Sequence, residues 1–425
     1  MNTWTVIAGS TSESVLQPTW LDDESLLISA DPSGWWNLET VRLDGSRVPL
    51  HTDQAEYGGP LWMLGAGWFT LRGDGTVLAV RTLGSDRLVS IDLSTGDSRD
   101  IDVPLSALAI GGINGDRLLL SGGSSTLASG LRILDLGTGE LTEVRLGVDE
   151  LPAEGYLPLA EEHTFTGVRD VHAFVFPPRN ADFEAPEGEL PPYVAFVHGG
   201  PTGRTTGMLD VTKAYFTSRG IGVVDINYGG SSGYGRAYRE ALRGQWGVVD
   251  VEDTVAAVRG LASAGLADGS RLAIRGGSAG GWTVLAALTT SDVFAAGASY
   301  FGVAELITFA EDTHDFESRY LDGLIGPLPE ALELYTSRAP LTHAAELSTP
   351  VLLLQGLDDP IVPPSQAEMF RDVLVERGLR HAYVAYEGSR TASAAPPRSS
   401  TRPSRSCRST GRSWASCRRG CPCCR

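Results

Sequence analysis

Ser278 has the setting of a nucleophile. It stands at the centre of Gly276-Gly277-Ser278-Ala279-Gly280, which fits G-x-S-x-G. A serine hydroxyl attacks a carbonyl only when a base takes its proton and donors receive the oxyanion. A strained strand-to-helix turn exposes the hydroxyl, and flanking glycines let backbone pass close by without a Cβ in the way. The two arms of such a turn are present. The apolar run Leu272-Ala273-Ile274 precedes the motif, and the helix-compatible run Trp282-Thr283-Val284-Leu285-Ala286-Ala287-Leu288 follows it. A glycine-rich turn with an incidental serine is the alternative, so the serine's partners decide the matter.

An orienting acid and oxyanion donors can be named. On α/β-hydrolase scaffolds the order along the chain is serine, acid, histidine. Asp358 follows the apolar strand Val351-Leu352-Leu353-Leu354 and lies 80 residues after Ser278, where the acid is expected. Its neighbour Asp359 is the fallback, and a plain turn before Pro360 is the structural alternative. The loop His198-Gly199-Gly200-Pro201 follows the strand Tyr193-Val194-Ala195-Phe196-Val197. The amides of Gly200 and Ala279 are the expected oxyanion donors. His198 reads as a residue that holds this loop rather than as a base.

The elements around these residues alternate. Val171–Phe176, Tyr193–Val197, Gly222–Ile226, Leu272–Ile274, Ala295–Ser299 and Val351–Leu354 read as strands. Val248–Leu261 reads as a helix, with Val251, Val255, Val258 and Leu261 on one face. Strand and helix in alternation predict a doubly wound, mostly parallel sheet over residues 166–388. In such a sheet the functional loops gather at the carboxyl ends of the strands, so the Ser278, Gly200 and Asp358 loops should converge. Leu151–Gly167 reads as a connector, bounded at 151–165.

Residues 1–150 have another pattern. Three similar turns recur: Leu43-Asp44-Gly45-Ser46, Leu93-Ser94-Thr95-Gly96-Asp97 and Leu136-Gly137-Thr138-Gly139-Glu140, spaced by 50 and 43 residues. Each closes a short strand: Thr40–Arg42, Leu88–Ile91 and Leu131–Leu134. Trp20–Ser29 and Gly115–Ser121 read as inner strands. This period predicts an all-β partial propeller of about three blades. Closure usually needs four to eight blades. The expectation is therefore a chain that starts inside a longer propeller, with a different β arrangement as the alternative.

Composition excludes several classes. The 425 residues point to two domains, and 42% hydrophobic with 20% charged residues is a globular balance. No apolar run is long enough for a membrane span. Met1-Asn2-Thr3-Trp4-Thr5 lacks the features of a signal peptide, so a cytoplasmic protein is expected. The net charge is −18, but residues 389–425 carry nine arginines and no acid, which leaves −27 on the body. So acidic a body argues against nucleic acid and anionic membranes as partners. There is one lysine, Lys213, against 33 arginines. Cys407, Cys417, Cys421, Cys423 and Cys424 all lie in the tail, and Cys421-Pro422-Cys423-Cys424 lacks the second ligand pair of a zinc site. No metal or other cofactor is expected.

Four segments together resemble the prolyl oligopeptidase family of serine peptidases, in its acylaminoacyl-peptidase and dipeptidyl-aminopeptidase-like branch. They are His198–Pro201, Asn227-Tyr228-Gly229-Gly230-Ser231-Ser232-Gly233-Tyr234-Gly235, Gly276–Gly281 and Gln355–Pro363. The resemblance covers about residues 165–388. It implies an α/β-hydrolase domain behind a propeller that restricts access to short peptides, an acyl-enzyme mechanism, Ser278 and Asp358 in the triad, and Tyr228 and Tyr234 at the substrate. A carboxylesterase on the same fold, or a non-catalytic binding protein with the β repeats as its platform, are the other readings. Self-association into a homo-oligomer is left open.

One part of the pattern is missing. The family's base lies in a His-Gly-Phe segment soon after a strand ending Tyr-Glu-Gly. Here Tyr386-Glu387-Gly388 is present, but no histidine follows it. His51, His163, His172, His198, His314 and His343 precede Asp358, and His381 opens its strand, about 16 Å from the catalytic edge at roughly 3.3 Å per residue. The tail reads as a shifted frame. With codons freely chosen as AGC CGC ACG GCT TCC GCC GCG CCG for Ser389–Pro396 and a G before them, a one-base shift gives Glu-Pro-His-Gly-Phe-Arg-Arg-Ala; a natural disordered basic tail is the alternative. The same shift over Ser406–Ser416 gives the amphipathic Glu-Leu-Ser-Phe-Tyr-Gly-Gln-Val-Leu-Gly-Phe. Residues 389–425 are accordingly expected to be out of frame and disordered, and the polypeptide to be impaired for want of its base.

Overall fold

The computed structural model describes residues 4–62, 65–312 and 317–389. Three four-stranded antiparallel meanders come first. The first is β1 (Val15–Trp20), β2 (Ser25–Ala30), β3 (Asn37–Arg42) and β4 (Arg47–His51). The second is β5 (Phe69–Leu71), β6 (Thr76–Leu83), β7 (Ser85–Asp92) and β8 (Ser98–Ile101). The third is β9 (Ala107–Asn114), β10 (Arg117–Gly123), β11 (Gly130–Asp135) and β12 (Leu141–Leu146). The three recurrent turns are the same hairpin in each sheet, β3–β4, β7–β8 and β11–β12. In each an aspartate caps the turn. Asp44 accepts from the Ser46 amide, Asp92 from Ser94 and Thr95, and Asp135 from Gly137 and Thr138. Gly45, Gly96 and Gly139 take φ of 84°, 77° and 76°, where a Cβ would be strained.

The sheets stack face to face, as alternation along β6 shows. Val77 and Ala79 join the cluster with Leu27 and Leu38 of the first sheet, while Leu78 and Val80 join Leu118 and Leu120 of the third. One strand reading is corrected: Trp20–Ser29 is not a single strand. Leu21–Glu24 form a turn between β1 and β2, in which Asp22 accepts from the Glu24 amide and the Ser25 hydroxyl.

The rest builds one sheet of eight strands in the order β13-β14-β16-β15-β17-β18-β19-β20. They are β13 (Glu161–Thr166), β14 (Asp170–Phe176), β15 (Tyr193–Val197), β16 (Gly222–Asn227), β17 (Leu272–Gly277), β18 (Ala296–Tyr300), β19 (Val351–Gly356) and β20 (His381–Tyr386). β14 pairs antiparallel with β13 and β16, and every other pairing is parallel. The connector is therefore shorter than read, because β13 already belongs to the sheet. Its exposed Glu161 and Glu162 hide a strand whose Phe165 points into the core. The helices are α1 (Val211–Thr217), α2 (Arg236–Arg239), α3 (Val249–Ser263), α4 (Ala279–Thr290), α5 (Leu306–Asp312), α6 (Tyr320–Leu324), α7 (Leu332–Arg338) and α8 (Pro364–Glu376). α3 and α4 pack through Val258, Leu261, Trp282 and Leu285 on the main core. On the other face Phe216 of α1 packs with Phe174, Phe176 and Val223. Val223 and Val224 thus serve opposite faces, as a sheet covered on both sides requires. Among the described residues no helix is long and apolar enough to cross a membrane.

Candidate active site

The turn between β17 and α4 puts Ser278 at φ 55°, ψ −123°, a conformation few side-chain-bearing residues adopt. Clearance explains the glycines. A Cβ on Gly280 would lie 2.1 Å from the Val197 carbonyl oxygen, and one on Gly276 2.5 Å from that of Gly280. A Cβ on Gly281 would meet Gly302 Cα at 2.6 Å. The turn is fixed by the Ser278 amide donating to the Tyr300 carbonyl and the Trp282 amide donating to that of Ser278. The start of α4 directly follows the serine, so its unpaired amides and dipole favour negative charge there.

The glycine loop after β15 closes on this turn. A Cβ on Gly199 would stand 3.3 Å from Ser278 Cβ, and Gly200 holds φ 55°. Gly200, Ser278 and Ala279 line one cavity. His198 lies half-buried behind them. Its Nδ1 faces the Gly199 carbonyl at 3.0 Å, so Nδ1 carries the proton, and Nε2 accepts from the Ser231 hydroxyl at 2.8 Å. Burial holds its pKa below the usual value, so the ring is neutral. With both nitrogens engaged, His198 braces the loop.

The rest of the cavity wall is apolar: Trp246, Val303, Phe309, Leu321 and Leu324. Trp62 comes from the all-β part, and its ring meets Tyr320 edge-on at 5.4 Å and 87°. Tyr320 and the Thr202 hydroxyl are hydrogen-bonded at 2.8 Å, which ties α6 to the glycine loop. Burial pushes the Tyr320 phenol up to about 12. Glu317 completes the wall. None of these side chains belongs to a motif that sequence reading singled out. Trp62 lies between the first two sheets, Trp246 just before α3, and the others in loops and helices after β18; only chain closure brings them to Ser278.

Asp358 and Asp359 part company after β19. Asp359 is 5% exposed, and its Oδ1 accepts from the Ile361 and Val362 amides at 3.0 Å each. It holds the turn. Asp358 is exposed, and its amide donates to the Ser389 carbonyl at 3.1 Å. The Asp358 loop is thereby tied to the chain just past Gly388. Two substrate candidates lie elsewhere. Tyr228 is fully buried, stacks on His198 at 4.4 Å and donates to the His198 carbonyl. Tyr234 stacks on His172 at 4.1 Å and lines a separate cavity with Trp35 and Gly84. Neither lines the Ser278 cavity, and the loop after β16 packs against the all-β part, where the Gly84 amide donates to the Gly233 carbonyl and the Gly235 amide to Glu56.

Two other histidines face backbone carbonyls of their own segments. His381 pairs with Val351 at the start of β20, and its Nδ1 faces the Leu379 carbonyl at 2.8 Å. His343 Nε2 faces the Ser337 carbonyl at 2.8 Å. His314 and residues 390–425, the cysteines included, lie outside the described residues.

Strand order, strained serine and glycine loop define an α/β-hydrolase. Residues 208–400 match the model of the prolyl oligopeptidase family, and that part of the chain is similar to its peptidases. It is similar to the structure of a Mycobacterium tuberculosis puromycin-hydrolyzing peptidase, 50% identical with TM-score 0.88, covering 90% of this chain and 60% of that one. It is also similar to a serine-to-alanine mutant of puromycin hydrolase complexed with PGG, 43% identical with TM-score 0.86, covering 91% and 59%. Dipeptidyl aminopeptidase BIII of Pseudoxanthomonas mexicana is 30% identical over 217 residues, 49% of this chain and 32% of that protein. The chain thus spans about three-fifths of these structures' length, and its match spans about a third of that curated relative.

Proposed function

We propose that this protein hydrolyses short peptides through an acyl-enzyme, with Ser278 as nucleophile, Asp358 as the orienting acid, and the Gly200 and Ala279 amides as oxyanion donors. The observation that carries the reading is the strained Ser278 turn facing the Gly200 loop across one cavity. Asp358 is favoured over Asp359 because the latter's carboxylate is engaged in its own turn. The PGG complex of a similar hydrolase supports a peptide substrate. Bond making is ordinary acyl transfer: Ser278 Oγ adds to the carbonyl carbon, its proton goes to a base, and the amine leaves with that proton. Water then releases the acyl group.

The base belongs beside Asp358, where the chain leaves β20, and the sequence after Gly388 holds no histidine. The polypeptide is therefore impaired, and a shifted-frame tail carrying His-Gly-Phe completes the triad. Fluorophosphonate labelling tests this. Ser278 is expected to label strongly in a chain bearing the shifted-frame tail, weakly in the present chain, and not at all in Ser278→Ala. Equal labelling of the first two would overturn the assignment of the base.

A further inference from the structure

We propose that β20 is a docking edge for a second copy of this chain, the two β20 strands pairing antiparallel about a two-fold axis at Val384. β20 ends the eight-stranded sheet, so one side of its backbone is unpaired among the described residues. Sheets guard such edges with charges, prolines or bulges. The opposite edge obeys this, since β13 carries Glu161, Glu162 and His163. β20 reads His381-Ala382-Tyr383-Val384-Ala385-Tyr386, with no proline or acid, and keeps unbroken register with β19. Tyrosine and valine favour the strand. Val384 is 38% exposed, and Ala382 and Ala385 are exposed too. An unguarded edge of this kind is a template for another strand.

Direction and register follow from the backbone. The Arg380 and Tyr386 carbonyls accept from the Val351 and Leu357 amides on the β19 side. Backbone groups alternate along an extended strand, so Tyr383 and Ala385 turn theirs outward. A closed pair of identical edges is two-fold symmetric, which makes the strands antiparallel. The axis stands normal to the sheet and leaves side chains on their own faces, so odd positions meet odd and even meet even. Centred on Val384, Tyr383 of one copy and Ala385 of the other exchange both backbone bonds, and the symmetric pair does the same. The side chains fit this register. Each tyrosine meets an alanine: Tyr383 lies opposite Ala385, and Tyr386 opposite Ala382. Val384 meets itself on the face where it is exposed. At the end of the ladder His381 falls opposite Glu387, an imidazole against a carboxylate. Centring on Tyr383 would instead set that ring against itself and Glu387 against Leu379.

Sedimentation velocity of the full chain tests this, under reducing conditions so that the tail cysteines form no links between copies. A concentration-dependent dimer is expected. Ala385→Pro removes an outward amide and no bond to β19, and should weaken dimerisation at least about tenfold. Val384→Lys brings two ammonium groups together at the axis and should act in the same direction. Circular dichroism of both variants checks that the fold is kept. A second measurement does not depend on either of them. Val384→Cys, oxidised with copper phenanthroline, should give a disulfide between two copies of the tryptic peptide 381–390, identified by mass spectrometry, and Tyr383→Cys should not. A monomeric unaltered chain, a dimer indifferent to both Ala385→Pro and Val384→Lys, or linkage through Tyr383→Cys in place of Val384→Cys would each overturn the proposal.

Discussion

Asp250 is a buried acid whose titration bears on how this domain responds to pH. It lies in the first turn of α3, accepts from the Thr283 hydroxyl and the Gly247 amide at 2.6 Å each, and is fully buried. Burial pushes its pKa up to about 6, against those two bonds. A folded pKa above the unfolded value means that the folded state holds its proton longer. The contribution is full below about pH 4 and is lost as pH rises through 6. The loss is on the order of 3 kcal/mol from this group. Asp250→Asn should flatten this slope, so urea midpoints at pH 4.5 and 7.5 should differ less in the variant than in the unaltered chain. A slope unchanged by the substitution would remove Asp250 from the account.

The β17–α4 turn is built on absences of side chains. At Gly280 the carbonyl of Val197 occupies the space of a Cβ, so Gly280→Ala must push β15 and α4 apart. A loss of about 4 kcal/mol or failure to fold is expected, in the class of severe backbone clashes. Gly112 in β9 is the control, with nothing within 4 Å of its Cβ position, so Gly112→Ala should change stability by less than about 0.5 kcal/mol. Thermal unfolding of both variants decides whether clearance, and not glycine content as such, matters at the turn. A mild effect at Gly280 would show that the two elements can move.

Across the whole molecule, three buried carboxylates of the all-β part meet arginines of the hydrolase domain. Asp31 pairs with Arg236 and Arg239, Glu56 with Arg239, and Asp86 with Arg204. The Arg239 guanidinium also lies over Trp36 at 3.7 Å. Arg204 grips both oxygens of Asp86 at 2.7 and 2.9 Å and donates to the Gly84 carbonyl. Removing one partner strands a charge that is 2% exposed. Arg204→Ala should therefore lower stability by about 3 kcal/mol, and Arg204→Lys should recover only part, since an ammonium cannot reproduce the planar fork. Hydrogen exchange at the Leu108 amide, which donates to Asp86, reads this locally. Unchanged exchange in Arg204→Ala would remove the Asp86–Arg204 pair from the account of how the domains are held.

How much of this was legible follows from the range of each interaction. The Ser278 turn, the Asp358 position and the three aspartate-capped hairpins were readable because each is local: a few residues in sequence fix the backbone. The alternation of strand and helix was readable for the same reason. β13 was missed because five of its six residues are polar and only Phe165 among them is buried. That Tyr228 and Tyr234 lie outside the lining of the Ser278 cavity was not legible, because a motif records which residues occur together and not which way a loop turns. Trp62, Glu317 and Tyr320 carried no local signal. Their meeting at Ser278 is made by domain packing and by the return of the chain after β18, and a contact between residues hundreds of positions apart exists only once the burial of both cores has set the distance between them.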